Sequence, residues 1–380
     1  MDRIYGHADF SSPAFAKYLS HRQGDGGLSV GRLTLEEDLE RFAKRPFTEI
    51  LPELTAGNSP DEENIGGPAI VALIHAAQIL VDNCTVRFYG CSGDDKVGEN
   101  LRRRLEKMPV DLSHYRIQPG SETPSTTVLS DPDADNGNGE RTFINTIGAS
   151  WDFLPGEVDA SFYDADICVF GGTALVPRIH EGLDRMLAEA RSKGCLTIVN
   201  TVYDFLSEKR LPGSRWALGS SDASYPLVDL LIADKEEALR LSGTGSVSEA
   251  LSFFIGKGVG AAIITAGADD VHLWAGSGRF IKSGPETMPV SKALGAAWKD
   301  PSRQGDSTGC GDNFAGGVIA SIAGQLNSGI SELDLKEACR WGIVSGGFAG
   351  LYYGGTWQES EPGEKLRILR PYYEKYLEQG

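Results

Sequence analysis

No Cys-x-x-Cys pair occurs in the sequence, although it holds six cysteines: Cys84, Cys91, Cys168, Cys195, Cys310 and Cys339. That absence excludes the common zinc spacings. Most of the six lie in or beside apolar runs such as ADICVFGG, and a chain this long needs no disulfides to build a core, so they read as reduced core thiols. The six histidines form no HExxH motif and no close pair. His75, inside VALIHAAQ, reads as a satisfied core side chain. Positive charge is also scarce: 36 Lys and Arg stand against 53 Asp and Glu, a net charge of −17. Without a basic footprint to meet phosphates, a general nucleic-acid role is excluded. No apolar run reaches the ~18 residues of a membrane span, and the opening MDRIYGHADF has no apolar signal core. The expected location is the cytoplasm, without membrane partners. There is no Walker A sequence, so a nucleotide site here is not a P-loop. GKGVG (256–260) precedes a strand-like run where a dinucleotide loop would follow one. DPDADNG (131–137) imitates a calcium loop, but its twelfth position is Thr142, and strand-like runs flank it.

What is present is a core-forming composition, 41% hydrophobic and 9% aromatic, over 380 residues. TLEEDLERFAKRPFTEILPEL reads as a helix pair broken at Pro46, and IGGPAIVALIHAAQIL as a Gly-Gly turn entering an apolar helix. CTVRFYGCSGD reads as a buried strand ending in a Gly-rich turn. In KVGENLRRRLEKM, Val97, Leu101, Leu105 and Met108 fall on one helix face, and LRRRLEK is a solvated basic face. TPSTTVLS and RTFINTIG are β-like, and the turn-rich DPDADNGNGE between them predicts a hairpin. From about 160 onward short apolar strands (ADICVFGG, CLTIVN, VDLLIAD, GAAIITAG) alternate with helices near 178–193, 234–242, 247–257 and 312–325. That rhythm predicts an α/β fold: a mostly parallel sheet covered on both faces. The expectation is a single domain over 1–380 with a small β-rich appendage.

The stretch GDSTGCGDNFAGG (305–317) holds five glycines directly before the apolar run VIASIAG. Glycine costs roughly 1 kcal/mol against alanine inside a helix, so bare backbone must be needed here. In open α/β sheets ligands bind at the carboxyl ends of the strands. A Gly-rich turn entering a helix there turns several N–H groups toward one point, reinforced by the helix dipole. Gly309, Cys310 and Gly311 would form such an anion hole. Gly316 and Gly317 would let the helix approach another backbone or the ligand. Asp312 has two readings, a helix cap or a general base beside the anion; phosphoryl transfer to an alcohol needs both donors and a base.

DSTGCGDNFAGGVIASI resembles the C-terminal signature of the PfkB (ribokinase-like) carbohydrate kinases. NIGGPAIVALIHAAQIL resembles their N-terminal signature, YGCSGDDKVGENLRRRLEK the segment between, and GERTFINTIGAS the end of their lid. LIADKEEALRLSG and IITAGADDVHLW resemble the two nucleotide-side segments; the likeness spans roughly 64–356 in order. It implies a ribokinase-like fold with a lid formed by about 111–148 and part of 1–64. It further implies that Asp312 is the catalytic base and that the 309–311 amides hold the migrating phosphoryl. Cys310 replaces the usual alanine and is not read as a nucleophile. Asp306 matches a position near the phosphates and a monovalent-cation (K+) site. Gly66 and Gly67 match the sugar-contacting pair. Asp234 and Glu237 fall on an Asn-x-x-Glu that organises Mg2+ and phosphates, Glu237 through water. Thr265 and Gly267 match the segment facing ATP. Arg141 is an exposed strand residue or, by family position, a substrate contact. The sequence departs at its start, where Asp9 is a poor match to the substrate-binding Asp, and at Pro68 and the inserted SKALGAAWKDPSRQ.

The implied function is ATP- and Mg2+-dependent phosphorylation of a primary hydroxyl on a sugar or sugar derivative. The alternatives are a nucleoside (adenosine-like) kinase and a catalytically weak, sugar-binding regulator on the same fold. A homodimer through the lid is a further implication.

Overall fold

The computed structural model describes residues 1–22, 24–134, 140–300 and 305–379. The turn at 135–139 expected from DPDADNGNGE, and part of the 291–304 insertion, lie outside them. The chain divides into two compact units: residues 1–66, 91–103 and 116–150 form one, and residues 67–90, 104–115 and 151–380 the other.

The smaller unit is built on a five-stranded sheet. Its strands are β1 (Asp2–Tyr5), β2 (Leu33–Leu35), β3 (Glu62–Asn64), β6 (Ser125–Asp131) and β7 (Glu140–Thr146), in the order β2-β7-β6-β1-β3. β6 and β7 pair antiparallel from Ser125↔Thr146 to Asp131↔Glu140, the hairpin that the sequence predicts. The β-branched residues Thr, Val and Ile suit this pleated surface. The helix pair is present as Glu36–Ala43 and Phe47–Leu54, with Pro46 as the second N-cap. Leu39, Ile50, Phe15, Leu129 and Ile144 form this unit's core. The predicted strand at 84–94 shrinks to β4 (Gly90–Gly93), paired with β5 (Tyr115–Gln118) in a two-stranded sheet. Upstream of it only a bridge, Arg87↔Asp111, remains.

The larger unit carries a six-stranded sheet ordered β13-β12-β11-β10-β9-β8. Its strands are β8 (Ile167–Gly171), β9 (Leu196–Asn200), β10 (Leu230–Asp234), β11 (Ala261–Thr265), β12 (Val271–Ala275) and β13 (Ser283–Met288). The first four run parallel and the last two antiparallel. Every residue of β9 is buried, as expected where helices cover both faces. Leu196, Ile198, Leu230, Ile232, Ala261 and Ile263 share a core with helices Pro68–Leu80, Cys310–Asn327 and Leu335–Ala349. The helix expected over 178–193 is broken at Gly182 into Pro177–Glu181 and Leu183–Ser192. No described helix is long and apolar enough to cross a membrane.

Two glycines fix how closely these helices pack. A Cβ on Gly316 would fall 2.5 Å from Ala72 O, and one on Gly317 would fall 2.4 Å from Ser345 Oγ and 2.6 Å from Trp341 O. Of the two roles open to them, approach to another backbone is the one observed.

Candidate active site

The carboxyl ends of the parallel strands lie side by side in the larger unit. Asp234, the last residue of β10, is in register with Thr265, the last of β11. Asp234 also caps the next helix, Lys235–Ser242. Its Oδ1 accepts from Glu237 N–H at 2.8 Å, and its own N–H donates to Glu237 Oε2 at 3.1 Å. This reciprocal capping box explains why an acid at 234 is followed three residues later by Glu. Thr201, just past β9, donates its hydroxyl to Glu237 Oε2 at 2.6 Å.

Glu237 is 8% exposed. Burial, then the neighbouring Asp234 and finally Asp312, push its carboxyl up to about 7. Burial likewise raises Asp234. Asp312 is therefore close enough to Glu237 to be felt electrostatically. Three carboxylates face a common region, although no described group of three acidic, His or Cys side chains is close enough to grip a metal directly. Beside them opens a cavity of about 420 Å3 lined by Asp234, Lys235, Arg240, Thr265, Gly267 and Asp269, among others. Gly267 is needed there for its backbone, at φ +64, since a Cβ would meet nothing within 4 Å.

Asp312 stands at the third position of the 18-residue helix Cys310–Asn327, whose N-cap is Gly309. The first amides of a helix have no partner within it. Cys310 N–H makes a 3.3 Å turn bond to Ser307 O, so among the expected anion donors it is engaged. The Cys310 thiol is pushed up to about 12, by burial first and then by Asp306 and Asp312. That leaves it a poor nucleophile. Asp306 Oδ1 accepts from Thr308 N–H at 2.8 Å and holds the turn before it. The glycines of 305–309 serve packing. A Cβ on Gly305 would fall 2.3 Å from Gly350 O. One on Gly309, at φ +74, would fall 2.4 Å from Gly355 Cα.

Gly67, at φ +111, caps helix Pro68–Leu80. A Cβ on Gly171 or Gly172, at the end of β8, would fall 2.9 Å from Ala69 or Pro68. Gly66 and Arg141 belong to the smaller unit. There Gly66 lies against a residue that sequence reasoning missed: a Cβ on it would fall 2.1 Å from Asp2 Oδ1. Arg141 is half-buried on β7, opposite Ser130. Asp9 is spent on a turn, its Oδ1 accepting from Ser11 N–H and Oγ.

His75 is a correction. It is fully buried, as expected; its ring nitrogens make no direct hydrogen bond, and its nearest polar influence is the Asn313 side chain. Burial and Lys365 hold it well below its usual range, so it is neutral. Lys365 also escaped sequence reasoning, although 365, 369, 372 and 376 trace one helix stripe shared with Leu369 and Tyr376. All six cysteines are free thiols, with Cys84 and Cys310 half-buried.

A parallel sheet whose carboxyl edge meets an open helix N-terminus bearing a carboxylate defines an α/β enzyme that handles anions. The sequence description of the pfkB family of carbohydrate kinases matches residues 38–358. The chain belongs to that family, and is a kinase with a ribokinase-like α/β fold. It is 25% identical over 244 residues to aminoimidazole riboside kinase of Salmonella typhimurium, covering 62% of this chain and 67% of that one. It is 24% identical over 301 residues to fructoselysine 6-kinase of Shigella flexneri, covering 77% and 91%. A structure from Escherichia coli described as a ribokinase II in complex with ATP and Mg2+ superimposes with a TM-score of 0.61 at 19% identity, covering 84% of this chain and 94% of that one.

Proposed function

We propose that this kinase transfers the γ-phosphoryl group of ATP to a primary hydroxyl of a sugar or sugar derivative. The observation that carries the reading is Asp312 at the open start of an 18-residue helix, near enough to Glu237 to weaken its acidity. Asp312 takes the proton of the attacking hydroxyl as its oxygen adds to the γ-phosphorus. The bond to the bridging oxygen breaks on the opposite side and ADP leaves. The helix dipole and the amides at Gly309, Cys310 and Gly311 stabilise the charge on the transferring group. For Cys310 this requires its long bond to Ser307 to open, whereas Gly311 N–H has no partner among the described residues.

The cavity beside β10 and β11 suits the nucleotide, with Thr265 and Gly267 on its wall; by family position Asp306 would lie near the phosphates. The donor set fits Mg2+, a hard cation that keeps several waters and takes few direct protein ligands. Asp234 and Glu237 would hold it, Glu237 through water, and the crowding that raises both carboxyls would be relieved. Mg2+ would supply neutralisation of phosphate charge. By family position Gly66, Gly67 and Arg141 are each proposed as acceptor contacts. Residues 111–148, with part of 1–64, act as a lid that excludes water, as one domain with the rest of the chain. The lid edge is also the surface for a homodimer, the cytoplasm is the site of action, and K+ near Asp306 remains part of the proposal.

A riboside acceptor is the second reading, favoured by the match to a riboside kinase. Measuring ADP release with ATP–Mg2+ across hexoses, fructosamines, pentoses and nucleosides decides between them. Turnover above background with one class assigns it. Tight binding of an acceptor with no turnover would overturn the kinase reading in favour of a regulator.

A further inference from the structure

The smaller unit carries a cavity that the phosphoryl-transfer reading leaves unused. It encloses about 380 Å3 and is lined by Arg3, Tyr5, Glu63, Lys96, Asn100 and Arg103, among others. Two local patterns build it. Side chains on a strand alternate between faces, so Arg3 and Tyr5 of β1 share one face, while Asp2, which packs against Gly66, points to the other. The cavity therefore lies on the opposite face of this sheet from the acceptor contact proposed at Gly66. Glu63 of β3 stands directly across from Arg3. Helix Lys96–Leu105 supplies the second wall: Lys96, Asn100 and Arg103 follow at i, i+4 and i+7, one stripe of the helix.

The lining holds three cations and one carboxylate, in a chain whose net charge is −17. Arg3 Nη2 donates only to hydroxyls, Thr127 Oγ1 at 3.2 Å and Ser125 Oγ at 3.5 Å, and its Nε has no partner among the described residues. Arg103 Nε reaches only the Glu99 carbonyl of its own helix, at 3.4 Å. Lys96 has no hydrogen bond or ion pair among the described residues. Glu63 is turned to Asn100, whose Nδ2 donates to its Oε2 at 2.5 Å. The acids that feel Arg3 from farther off are engaged elsewhere. Glu36 accepts from the Thr146 hydroxyl, and Asp95 accepts from the Thr123 hydroxyl and from the N–H groups of Thr123 and Gly98. The Tyr5 hydroxyl also lacks a partner among the described residues, and burial raises the phenol, so it stays a donor. A solvated helix face accounts for the exposed Arg103. It does not account for Arg3, half-buried on a strand flanked by β6 and β3. A guanidinium has five N–H groups and no acceptor, and most of those of Arg3 are unclaimed.

We propose that this cavity is a binding site for a phosphoryl dianion, held by Arg3, Lys96 and Arg103 with the Tyr5 hydroxyl. Arginine forks and a lysine point charge are the donors that suit a tetrahedral oxyanion. With Glu63 counted, two net positive charges meet two negative ones. Glu63 repels the anion on its own side and accepts a hydroxyl proton there, which favours a phosphate monoester whose carbon part carries a hydroxyl; free phosphate would use the cations alone. The inference does not depend on the roles assigned to Asp312 and the 309–311 amides.

Calorimetric titration of the full chain tests it, with Mg2+ and a saturating non-hydrolysable ATP analogue present so that the nucleotide site is filled. Inorganic phosphate and glycerol 3-phosphate are the probes, and glycerol is the uncharged control. The proposal predicts that the anions bind and glycerol does not, and that binding weakens as salt is raised. Lys96→Met combined with Arg103→Met weakens probe binding about 10- to 100-fold, with turnover and melting temperature unchanged. Arg3→Met weakens it similarly; should that variant not fold, the double variant decides. Tighter binding of glycerol 3-phosphate than of phosphate, lost in Glu63→Gln, upholds the site and assigns it a hydroxylated ester; equal binding upholds it for free phosphate. No binding of either probe, or undiminished binding in the folded double variant, overturns the proposal. So does loss of probe binding in Asp312→Asn, which would place the probe at the catalytic residue instead.

Discussion

On the sheet side of the Gly309–Asp312 turn, Asp234, Glu237 and Asp312 bring three acids together; on the core side, His75 and Lys365 bring two bases together. The acids lie beside a cavity open to ligand, and the bases are sealed. On both sides burial, first among the causes, makes the charged form costly: it raises Glu237 and lowers Lys365. On the proposed reading a metal–nucleotide complex would relieve the acidic side. On the basic side Lys365 is sealed and lowered to about 7 by burial, so its charge changes with pH near neutrality.

Removing the rigid link is the most damaging way to break this comparison. Gly309→Ala places a Cβ 2.4 Å from Gly355 Cα at a backbone φ of +74. Left-handed strain of about 1–2 kcal/mol adds to overpacking of about 1–3 kcal/mol. Turnover is expected to vanish, with a lower melting temperature as the readout; a variant with wild-type activity would show that the turn is not under this constraint.

The two sides also predict opposite slopes of stability with pH. Glu237 is a weaker acid folded, at about 7, than at its ordinary 4.5, so the folded protein binds more protons between those values. Its stability therefore falls as pH rises from 4.5 to 7. Lys365 is lowered by burial from 10.5 to about 7, so the folded protein binds fewer protons above 7. Its stability recovers as pH rises from 7 toward 10.5. Glu237→Gln keeps the capping box. Denaturant titration of that variant should flatten the lower limb and stabilise the protein at pH 8 by up to about 3 kcal/mol. Its Mg2+ requirement should rise about tenfold, a change of roughly 1.4 kcal/mol. Lys365→Met should flatten the upper limb alone. Both limbs surviving in both variants would refute the contrast.

The smallest effect belongs to the residue that draws the eye in the sequence. Cys310→Ala keeps the backbone N–H, and the thiol is protonated at neutral pH. Turnover is expected within about twofold of the wild type, with little loss to iodoacetamide; a large loss in either assay would give the thiol a role.

Much of the acidic side is legible in the sequence because local patterns write it. Asp234 and Glu237 form an i, i+3 box at a strand–helix junction, and Asp312 follows a Gly-rich turn. The parallel strands are legible as short apolar runs, all four of them found within two residues of their observed ends. The basic side is written in long-range contacts: Lys365 and Asn313 lie 52 residues apart, and Gln78 reaches Trp357 across 279. Only the lysine on an apolar stripe hints at it. The 84–94 strand fails for a related reason. Its apolar residues suit a strand, but Phe88 and Tyr89 stack instead on Tyr115 and His114, leaving ladder pairing to Gly90–Gly93.

Asp312→Asn puts the central claim to the most direct measurement. At the third helix position Asn gives up only the attraction of a charge to the helix dipole, about 0.3–1 kcal/mol, so stability is expected within about 1 kcal/mol of the wild type. ATP turnover with the assigned acceptor is expected to fall by about 10²–10⁴, as for loss of a general base. Equal stability with undiminished turnover would reduce Asp312 to a helix-start acid and contradict the account.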